Sequence, residues 1–252
     1  MNPQTLKPLN PIVSIITICY NCRADLEKTL LSVASQTYAD KEYVIVDGGS
    51  TDGTTELLQT HRGNIDLLIS EPDDGIYDAL NKGIRAAKGE WVICMNAGDT
   101  FTSDHVLENI FSRPIPDDIT FIYSDFILLH ADGRQELRKT DREQGEVHHQ
   151  NAIYRKRLHE RYGYYIVTPT YIVSDLLFFL AVPPQQFRKI NTPIAFVKDG
   201  GISNGLWCSA QAMAAKVVFG LDTIPHIFYR YTRLRFGLWR QKVLGRLKKR
   251  NR

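Results

Sequence analysis

The sequence contains little cysteine and no long apolar run. Four cysteines in 252 residues are too few for a disulfide scaffold, and they suit a reducing compartment. The most apolar segment, 171–182, has Asp175 in its middle, so it falls short of the roughly 20 apolar residues that a membrane-spanning helix needs. The N-terminal segment 1–11 lacks a charged n-region and an apolar h-region. We therefore expect no signal peptide and a cytosolic location.

Two nucleotide-binding motifs are also absent. The chain has neither G-x-G-x-x-G nor a P-loop, and Asp47-Gly48-Gly49 does not complete a dinucleotide fingerprint. A phosphate-bearing ligand would then be neutralised by a metal ion rather than cradled by backbone amides. Cys19-x-x-Cys22 has the spacing of a redox pair or of half a zinc site, but no second pair completes a tetrahedral set.

Charge is unevenly distributed along the chain. The net charge is +3, yet residues 227–252 hold ten Lys and Arg and no acid, so subtracting ten leaves −7 for the remainder. Aromatic and aliphatic residues alternate with the basic ones in this tail, which favours a helix lying on an anionic membrane surface. The plainer alternative is an exposed basic tail that is partly disordered.

The stretch from Glu71 to Asp99 combines a helix, a strand and a carboxylate loop. Apolar residues between Ile76 and Ala87 recur at the i, i+3, i+4, i+7 spacing of one helical face, which predicts an amphipathic helix. Asp74 is the expected N-cap, and Gly89 is the expected stop. Residues 91–95 then read as a buried strand that ends in Asn96-Ala97-Gly98-Asp99.

Strands and helices alternate four times before residue 100. The predicted strands are 12–19, 43–46, 65–69 and 91–95, and helices are predicted at 23–36, with Asn21 as cap, and at 54–61 and from Ile76 to Ala87. This alternation predicts an α/β fold with a mainly parallel sheet flanked by helices. After Asp99 the pattern weakens: the expected elements are a short helix at 104–111, strands at 119–130 and 135–139 forming a hairpin, strands at 151–154 and 193–197, and a buried helix at 171–182.

Three acidic loops follow the second, third and fourth predicted strands. They contain Asp47, Asp73 to Asp78, and Asp99, and the carboxyl ends of parallel strands meet at one edge of a sheet. Clustered carboxylates of this kind suit Mg²⁺ or Mn²⁺, which proteins hold with one or two carboxylates and substrate phosphates. The alternative is that Asp47, Asp52 and Asp74 serve only as turn and cap residues.

Asp175 is a carboxylate inside an apolar segment. Burial there is costly without a partner, and it would raise the pKa of Asp175 towards the value that a general base needs. The alternative is that Ser174-Asp175 merely caps the helix that follows.

Several stretches, taken in order, resemble one enzyme family. IVSIITICYN, VIVDGGSTDGT, SEPDDGIYDALNKGIRAAKGEWV and MNAGD resemble the family 2 glycosyltransferases, particularly bacterial enzymes of capsule, colanic-acid and O-antigen assembly. The resemblance is strong over 11–105 and weaker at His149-Gln150, at Val173-Ser174-Asp175 and at 200–204. It implies a GT-A (Rossmann-like) fold, a UDP- or GDP-sugar donor, Mn²⁺ or Mg²⁺ as cofactor, and inversion at the anomeric carbon.

The resemblance also implies roles for individual residues. Asp99 matches the last acid of the family's DxD-type motif and would bind the metal, whereas Asn96 and Gly98 stand where many members have acids. Asp175 matches the catalytic base, and His149 with Gln150 would face the acceptor, although a plain loop histidine fits His149 equally. The residues expected to bind the donor are Thr17, Tyr20, Asn21, Asp47, Asp74, Asp78, Asn81 and Asn96.

This interpretation divides the chain into three parts. Residues 1–226 form one GT-A domain, with 11–105 binding the nucleotide sugar and 106–226 the acceptor, and residues 227–252 form a basic amphipathic tail. A glycan on a lipid carrier is the expected acceptor, so we expect peripheral association with the inner face of the plasma membrane. The competing hypotheses are a nucleic-acid-binding protein that uses the basic tail, which the acidic remainder disfavours, a sugar nucleotidyltransferase, and a non-catalytic relative.

Overall fold

The computed structural model describes residues 12–170, 172–200 and 205–250, except for the side chains of 238 and 241–250. The predicted alternation of strands and helices in the first hundred residues is confirmed. Its elements are β1 (Val13–Cys19), α1 (Arg23–Ala34), β2 (Lys41–Asp47), α2 (Thr54–Thr60), β3 (Leu67–Ser70), α3 (Ile76–Ala86) and β4 (Trp91–Cys94).

The second half is more irregular than the first. Its elements are β5 (Thr100–Phe101), α4 (Val106–Phe111), β6 (Phe121–Ser124), β7 (Phe126–Leu129), β8 (Gln135–Arg138), β9 (Ala152–Arg155), α5 (Leu158–Tyr162), α6 (Ser174–Ala181), β10 (Phe187–Ile190), β11 (Ala195–Lys198), α7 (Leu206–Val218) and α8 (Ile224–Arg250). The sequence patterns had not predicted α5, β10 or α7.

A seven-stranded sheet forms the centre, in the order β10-β6-β9-β4-β1-β2-β3. Four of its six pairings are parallel, and the two that involve β9 are antiparallel. The predicted mainly parallel sheet is therefore confirmed. Alternate residues of β1 enter opposite apolar clusters: Ile15 packs with Leu26 and Leu30 of α1, and Ile16 packs with Leu80 and Ile84 of α3.

A second sheet of four strands, in the order β5-β11-β7-β8, contains the predicted antiparallel hairpin of β7 and β8. The single strand predicted over 119–130 is wrong, because the chain passes from one sheet to the other at Asp125. This buried carboxylate forms ion pairs with Lys139 and Lys189, both at 2.7 Å, and accepts a hydrogen bond from the Thr140 N–H. The charged crossing fixes the break between β6 and β7.

Two predicted helix caps are wrong. Gly75, not Asp74, occupies the N-cap position of α3, and Asp74 is exposed. Cys22, not Asn21, is the N-cap of α1, and no side chain caps either helix. Gly89 also lies beyond the C-cap of α3, which is Ala87.

The described part of the basic tail belongs to the helix α8. Its start is held by Asp222, which pairs with His226 at 2.7 Å and with Arg230 at 3.6 Å. Basic and apolar residues share its faces, since Arg235 follows Phe228 by seven positions and Tyr231 by four, so the segregation expected of an amphipathic helix is weak. Within the part of the chain that the structure describes, no helix is both long and apolar enough to span a membrane.

Candidate active site

The candidate site lies where β1, β2 and β4 end. These strands are neighbours and parallel, so the segments that follow them meet at one edge of the sheet. Thr17 joins two of these ends, because its hydroxyl donates to Met95 O at 2.7 Å and accepts from the Tyr43 hydroxyl at 3.0 Å. Its side chain is fully buried, and the donor contact predicted for Thr17 stays a prediction.

Asp47 is buried at the end of β2 and organises the loop that follows. Its carboxylate accepts hydrogen bonds from the Ser50 hydroxyl at 2.5 Å and from the Ser70 hydroxyl at 2.7 Å. Because Asp47 has no exposed surface, its predicted bond to a nucleotide base would require this loop to open. The base contact stays a prediction.

Tyr20 and Asn21 extend over this loop from the end of β1. Tyr20 is 64% exposed, which is unusual for a tyrosine beside a buried strand. Asn21 has a positive φ of 47° and is clamped to the loop: its N–H donates to Ser50 Oγ, and its Oδ1 accepts from the Thr51 N–H, both at 2.8 Å. The clamp leaves the Tyr20 ring facing solvent at the predicted nucleotide pocket.

The acidic segment before α3 is tied to the helix by one lysine. Lys82 pairs with Glu71 at 3.0 Å and with Asp78 at 3.2 Å, and the Asp78 carboxylate also accepts from the Asp74 N–H. Burial raises the pKa of Asp78, but the hydrogen bonds from Asp74 and Lys82 outweigh this effect. The net pKa of Asp78 is below its usual value. Asp74 itself is exposed at the predicted donor side.

Asn81 is placed differently from the other predicted donor residues. It is buried, its Nδ2 donates to Tyr165 O at 2.8 Å, and its Oδ1 accepts from the Tyr165 N–H at 3.0 Å. These two bonds hold the segment after α5 against α3. The donor role predicted for Asn81 stays a prediction, and this geometry gives it no support.

Asp99 lies in the loop after β4 and is 4% exposed. Burial raises its pKa to about 6, although hydrogen bonds from the Lys198 N–H and the Gln150 side chain oppose the shift. Gly98 beside it has a φ of 102°, and a methyl group there would lie 3.1 Å from the Lys198 side chain. That conformation strains side chains other than glycine's, so the acid that the family resemblance leads us to expect at this position is disfavoured here.

In the loop after β4, Asp99 is the one carboxylate that could bind a divalent cation. Among the described residues there is no group of three or more His, Cys, Asp or Glu side chains that could hold a metal ion. The Lys198 N–H and the Gln150 side chain that donate to Asp99 are neutral groups. This fits an ion whose remaining ligands are donor phosphates and water, the usual arrangement for Mg²⁺.

Four side chains form a hydrogen-bonded chain next to Asp99. Asn96 Nδ2 lies 2.8 Å from His149 Nε2, and His149 Nδ1 lies 2.8 Å from Asp175 Oδ2. The Tyr77 hydroxyl donates to Asp175 Oδ1 at 2.8 Å. The chain joins the β4 loop, the turn before β9, α6 and α3. Asn96 Oδ1 is buried and has no hydrogen-bond partner in the described structure.

The pKa expected for Asp175 is wrong in direction. Burial does raise it, but hydrogen bonds from His149, from the Tyr77 hydroxyl and from the Leu176 N–H lower it by more, so the net pKa is below the usual aspartate value. Asp175 is thus an ionised carboxylate at neutral pH, with 17% of its side chain exposed. It is not the N-cap of α6, a position that Val173 occupies.

Two residues of the site escaped the sequence analysis. Tyr77 lies within the apolar face of α3, where its hydroxyl gave no separate signal. Thr29 interrupts the apolar face of α1, and its hydroxyl donates to Asp99 O at 2.7 Å and accepts from the Gly98 N–H at 2.9 Å. A polar residue between Leu26 and Leu30 was the available clue. Of the resembling GG-[IV]-S element, residues 201–204 lie outside the described residues.

Comparison with known proteins establishes the family. The model of glycosyl transferase family 2 matches residues 14–163, more than half of the chain. The chain belongs to glycosyl transferase family 2. It is 34% identical over 124 residues to a PGL/p-HBAD biosynthesis glycosyltransferase of Mycobacterium bovis, covering 47% of this chain and 48% of that relative. TuaG of Bacillus subtilis, a putative teichuronic acid biosynthesis glycosyltransferase, is 32% identical over 126 residues, covering 49% and 50%. The family 2 chain thus spans about half the length of these curated relatives.

Solved structures of low sequence identity share its fold. TarS of S. aureus in complex with UDP-GlcNAc aligns with a TM-score of 0.67 at 18% identity, covering 84% of this chain and 67% of that one. The mannosyltransferase PcManGT of Pyrobaculum calidifontis, in complex with GDP-Man and Mn²⁺, aligns with a TM-score of 0.63 at 18% identity, covering 85% and 65%. The predicted GT-A fold of this family 2 chain is confirmed.

Proposed function

We propose that this protein is an inverting glycosyltransferase that moves a sugar from a nucleoside diphosphate to a hydroxyl group of an acceptor. The observation that carries the proposal is the pair of hydrogen bonds that connects the predicted donor site with the predicted base. Asn96, three residues before the metal-binding candidate Asp99, is linked through His149 to the ionised carboxylate of Asp175. A donor held at the β4 loop would thus have a base beside it.

The donor would be a UDP- or GDP-sugar. The exposed Tyr20 ring offers a stacking surface for a base, and the unpartnered Asn96 Oδ1 would accept a hydrogen bond from a sugar hydroxyl. The nucleotides in the solved relatives support this class, since TarS is in complex with UDP or UDP-GlcNAc and PcManGT with GDP-Man. We also propose that 11–105 form the donor half and 106–226 the acceptor half of one domain, because Asn96 and Asp99 belong to the first and Asp175 to the second.

Asp175 would act as the general base. An acceptor hydroxyl oxygen attacks the anomeric carbon from the face opposite the diphosphate, its proton passes to Asp175 Oδ2, and the bond to the diphosphate breaks. Such a base contributes typically about 10²- to 10⁴-fold to the rate. A Mn²⁺ or Mg²⁺ ion at Asp99 would offset the charge of the leaving diphosphate.

The acceptor would be a glycolipid or a growing surface polysaccharide on a lipid carrier. The names of the curated relatives, PGL/p-HBAD and teichuronic acid biosynthesis, support this class. Basic side chains on α8, and exposed aromatic ones such as Phe228 and Trp239, would bring the protein to the anionic inner face of the plasma membrane, where lipid-linked acceptors reside.

A donor screen tests this function. The purified protein is incubated with UDP-, GDP- and dTDP-sugars and Mn²⁺, and release of nucleoside diphosphate is followed. We expect release from one donor, abolished by EDTA and by Asp99→Ala but retained in Glu27→Ala, a control on the exposed side of α1. Release that persists in EDTA would reject the metal role, and no release or binding of any donor would reject the proposed activity.

A further inference from the structure

Asn96 and His149, which the sequence assigned to donor and acceptor binding, contact each other, and His149 also contacts the proposed base. His149 is held at both ring nitrogens, by Asn96 at Nε2 and by Asp175 at Nδ1, each at 2.8 Å. Its side chain is 11% exposed, which leaves little surface for an acceptor. The role of His149 therefore has to be found in these two hydrogen bonds.

The hydrogen bonds define the tautomer of His149. A carboxylate oxygen only accepts, so Nδ1 carries the proton that faces Asp175 Oδ2. An amide NH₂ group only donates, so the Asn96 Nδ2 assigned by this network makes Nε2 the accepting nitrogen. Asn96 thus selects the Nδ1–H form, the tautomer that can donate to Asp175 without carrying a charge.

The same bond determines which lone pair of Asp175 is available. Oδ1 accepts from the Tyr77 hydroxyl at 2.8 Å and from the Leu176 N–H at 2.9 Å, so both of its acceptor positions are taken. Among the described residues, Oδ2 accepts a hydrogen bond from His149 alone, which leaves one position on that oxygen for an acceptor hydroxyl. Rotation of the carboxylate would break three hydrogen bonds.

We propose that His149 is a positioning residue that fixes the carboxylate of Asp175 through Nδ1–H, and that Asn96 fixes the tautomer of His149. The proposal rests on the proposed function in one respect, namely that Asp175 is the base. These side-chain hydrogen bonds link the loop that carries Asp99 to the base, so the proposed donor site and the base keep a fixed position relative to each other.

The hydrogen bond from His149 is one of the contacts that lower the pKa of Asp175. The other titratable groups that interact with Asp175 are Tyr77, Cys94, His148, Tyr154, Tyr165 and Cys208. Burial raises the pKa of each of these tyrosines and cysteines and lowers that of His148, so all six are neutral near pH 7. Loss of the His149 hydrogen bond would therefore raise the pKa of Asp175, because none of these six groups carries a charge that could compensate for it.

Two substitutions at one position test the proposal kinetically. The amide nitrogen of asparagine can replace Nδ1 as a donor, whereas alanine cannot. We expect His149→Ala to lower kcat about 10- to 100-fold, as loss of a hydrogen bond to a charged group does, with donor KM unchanged. The acidic limb of kcat/KM should move to higher pH, and His149→Asn should recover most of both effects. A wild-type pH profile in His149→Ala, or equal losses in the two variants, would overturn the proposal.

A readout that needs no turnover separates this proposal from the proposed function. Long-range ¹H–¹⁵N spectra of the labelled protein should show His149 protonated at Nδ1 and not at Nε2 at pH 7.5, and Asn96→Asp should bring a proton to Nε2. The ¹³C carboxyl signal of Asp175 should titrate at higher pH in His149→Ala. If His149 proves to be the Nε2–H tautomer, the proposal is wrong even if the enzyme is active. If the spectra agree but Asp175→Asn transfers sugar normally, the base assignment fails instead.

Discussion

The carboxylate of Asp175 is surrounded by donors rather than by apolar groups alone. Its ionised state costs little because Tyr77, His149 and the Leu176 N–H all stabilise the charge. We predict that Asp175→Asn lowers transfer by about 10²- to 10⁴-fold, because the amide cannot take a proton. The thermal shift caused by nucleoside diphosphate and Mn²⁺ should stay as in the wild type. Transfer within twofold of wild type would place the base elsewhere.

His159 gives the fold a dependence on pH that is unrelated to catalysis. It is 2% exposed, its Nε2 lies 3.0 Å from the Tyr154 hydroxyl, and its Nδ1 lies 3.1 Å from Gly163 O. Burial lowers its pKa from 6.5 to about 4, although the bond to Gly163 opposes the shift. The neutral ring therefore contributes stability that is complete above pH 6.5 and is lost as the pH falls through 4.

We predict that protonation of His159 lowers the free energy of unfolding by up to about 3 kcal/mol between pH 6.5 and pH 4. Urea unfolding at several pH values gives the free energy of unfolding of the wild type and of His159→Phe. The slope of this free energy against pH should be smaller in the variant. His61→Phe, at a histidine that is not buried and has no ion pair among the described residues, is the matched control and should keep the wild-type slope. Equal slopes in all three proteins would show that His159 does not titrate in this range.

At the scale of elements, the connection from α3 to β4 passes very close to β1. The Gly89 N–H donates to Ser14 Oγ at 2.8 Å and to Glu42 Oε1 at 3.0 Å, and a methyl group on Gly89 would lie 2.6 Å from Ser14 N. The glycine is needed here for close approach, not as the helix stop that the sequence suggested. Two of the three atoms nearest to that methyl group belong to the backbone of β1, which cannot move aside as the end of a flexible side chain can.

We predict that Gly89→Ala destabilises the protein by about 1–3 kcal/mol, the cost of overpacking a tight contact. Gly63→Ala is the matched control, because nothing lies within 4 Å of the position that its added methyl group would occupy and its φ is not in the left-handed region. Its stability should change by less than about 0.5 kcal/mol. Urea unfolding of both variants measures the change in the free energy of unfolding. Equal changes in the two variants would show that β1 can move away from Gly89.

The proposed membrane role of α8 can be tested by reversing the charge of exposed basic residues on this helix. Arg235 and Arg240 are exposed, as is Trp239, which is 60% accessible. We predict that Arg235→Glu with Arg240→Glu reduces pelleting with anionic liposomes, and that salt weakens pelleting of the wild type, because surface attraction is screened. The pair Lys28→Glu and Arg113→Glu changes net charge equally elsewhere and should pellet as the wild type does. No pelleting of the wild type at low salt would reject membrane association.

At the scale of the whole molecule, stability should report occupation of the site by metal and nucleotide together. Asp99 carries a buried charge that a divalent ion would compensate, and the diphosphate would complete the shell of that ion. We predict that UDP or GDP with Mn²⁺ raises Tm more than the sum of the separate shifts. A ligand at about 100 times its Kd adds about 2.7 kcal/mol. The extra shift should vanish in Asp99→Ala; strictly additive shifts would contradict joint binding.

Much of the fold of the first hundred residues could be predicted because its signals are local. The helical period of α3 and the β-branched runs of β1 and β2 are set by neighbours in sequence, and strand ends then place Asp47 and Asp99 at one edge. The second half gave weaker signals. The strand β10 is a short polar edge strand beside β6, and α7 is apolar on most sides, so neither shows a clear period.

The sequence by itself determined the fold class, the family resemblance and the order of the acidic loops, since these depend on residues a few positions apart. Only the tertiary structure decided the partners of the functional side chains. Asn96 and His149 are 53 positions apart and His149 and Asp175 are 26 apart, and no local pattern encodes such a pairing. The pKa of Asp175 follows from the same cause: burial could be read from its apolar neighbours, but the donors that outweigh it come from distant elements.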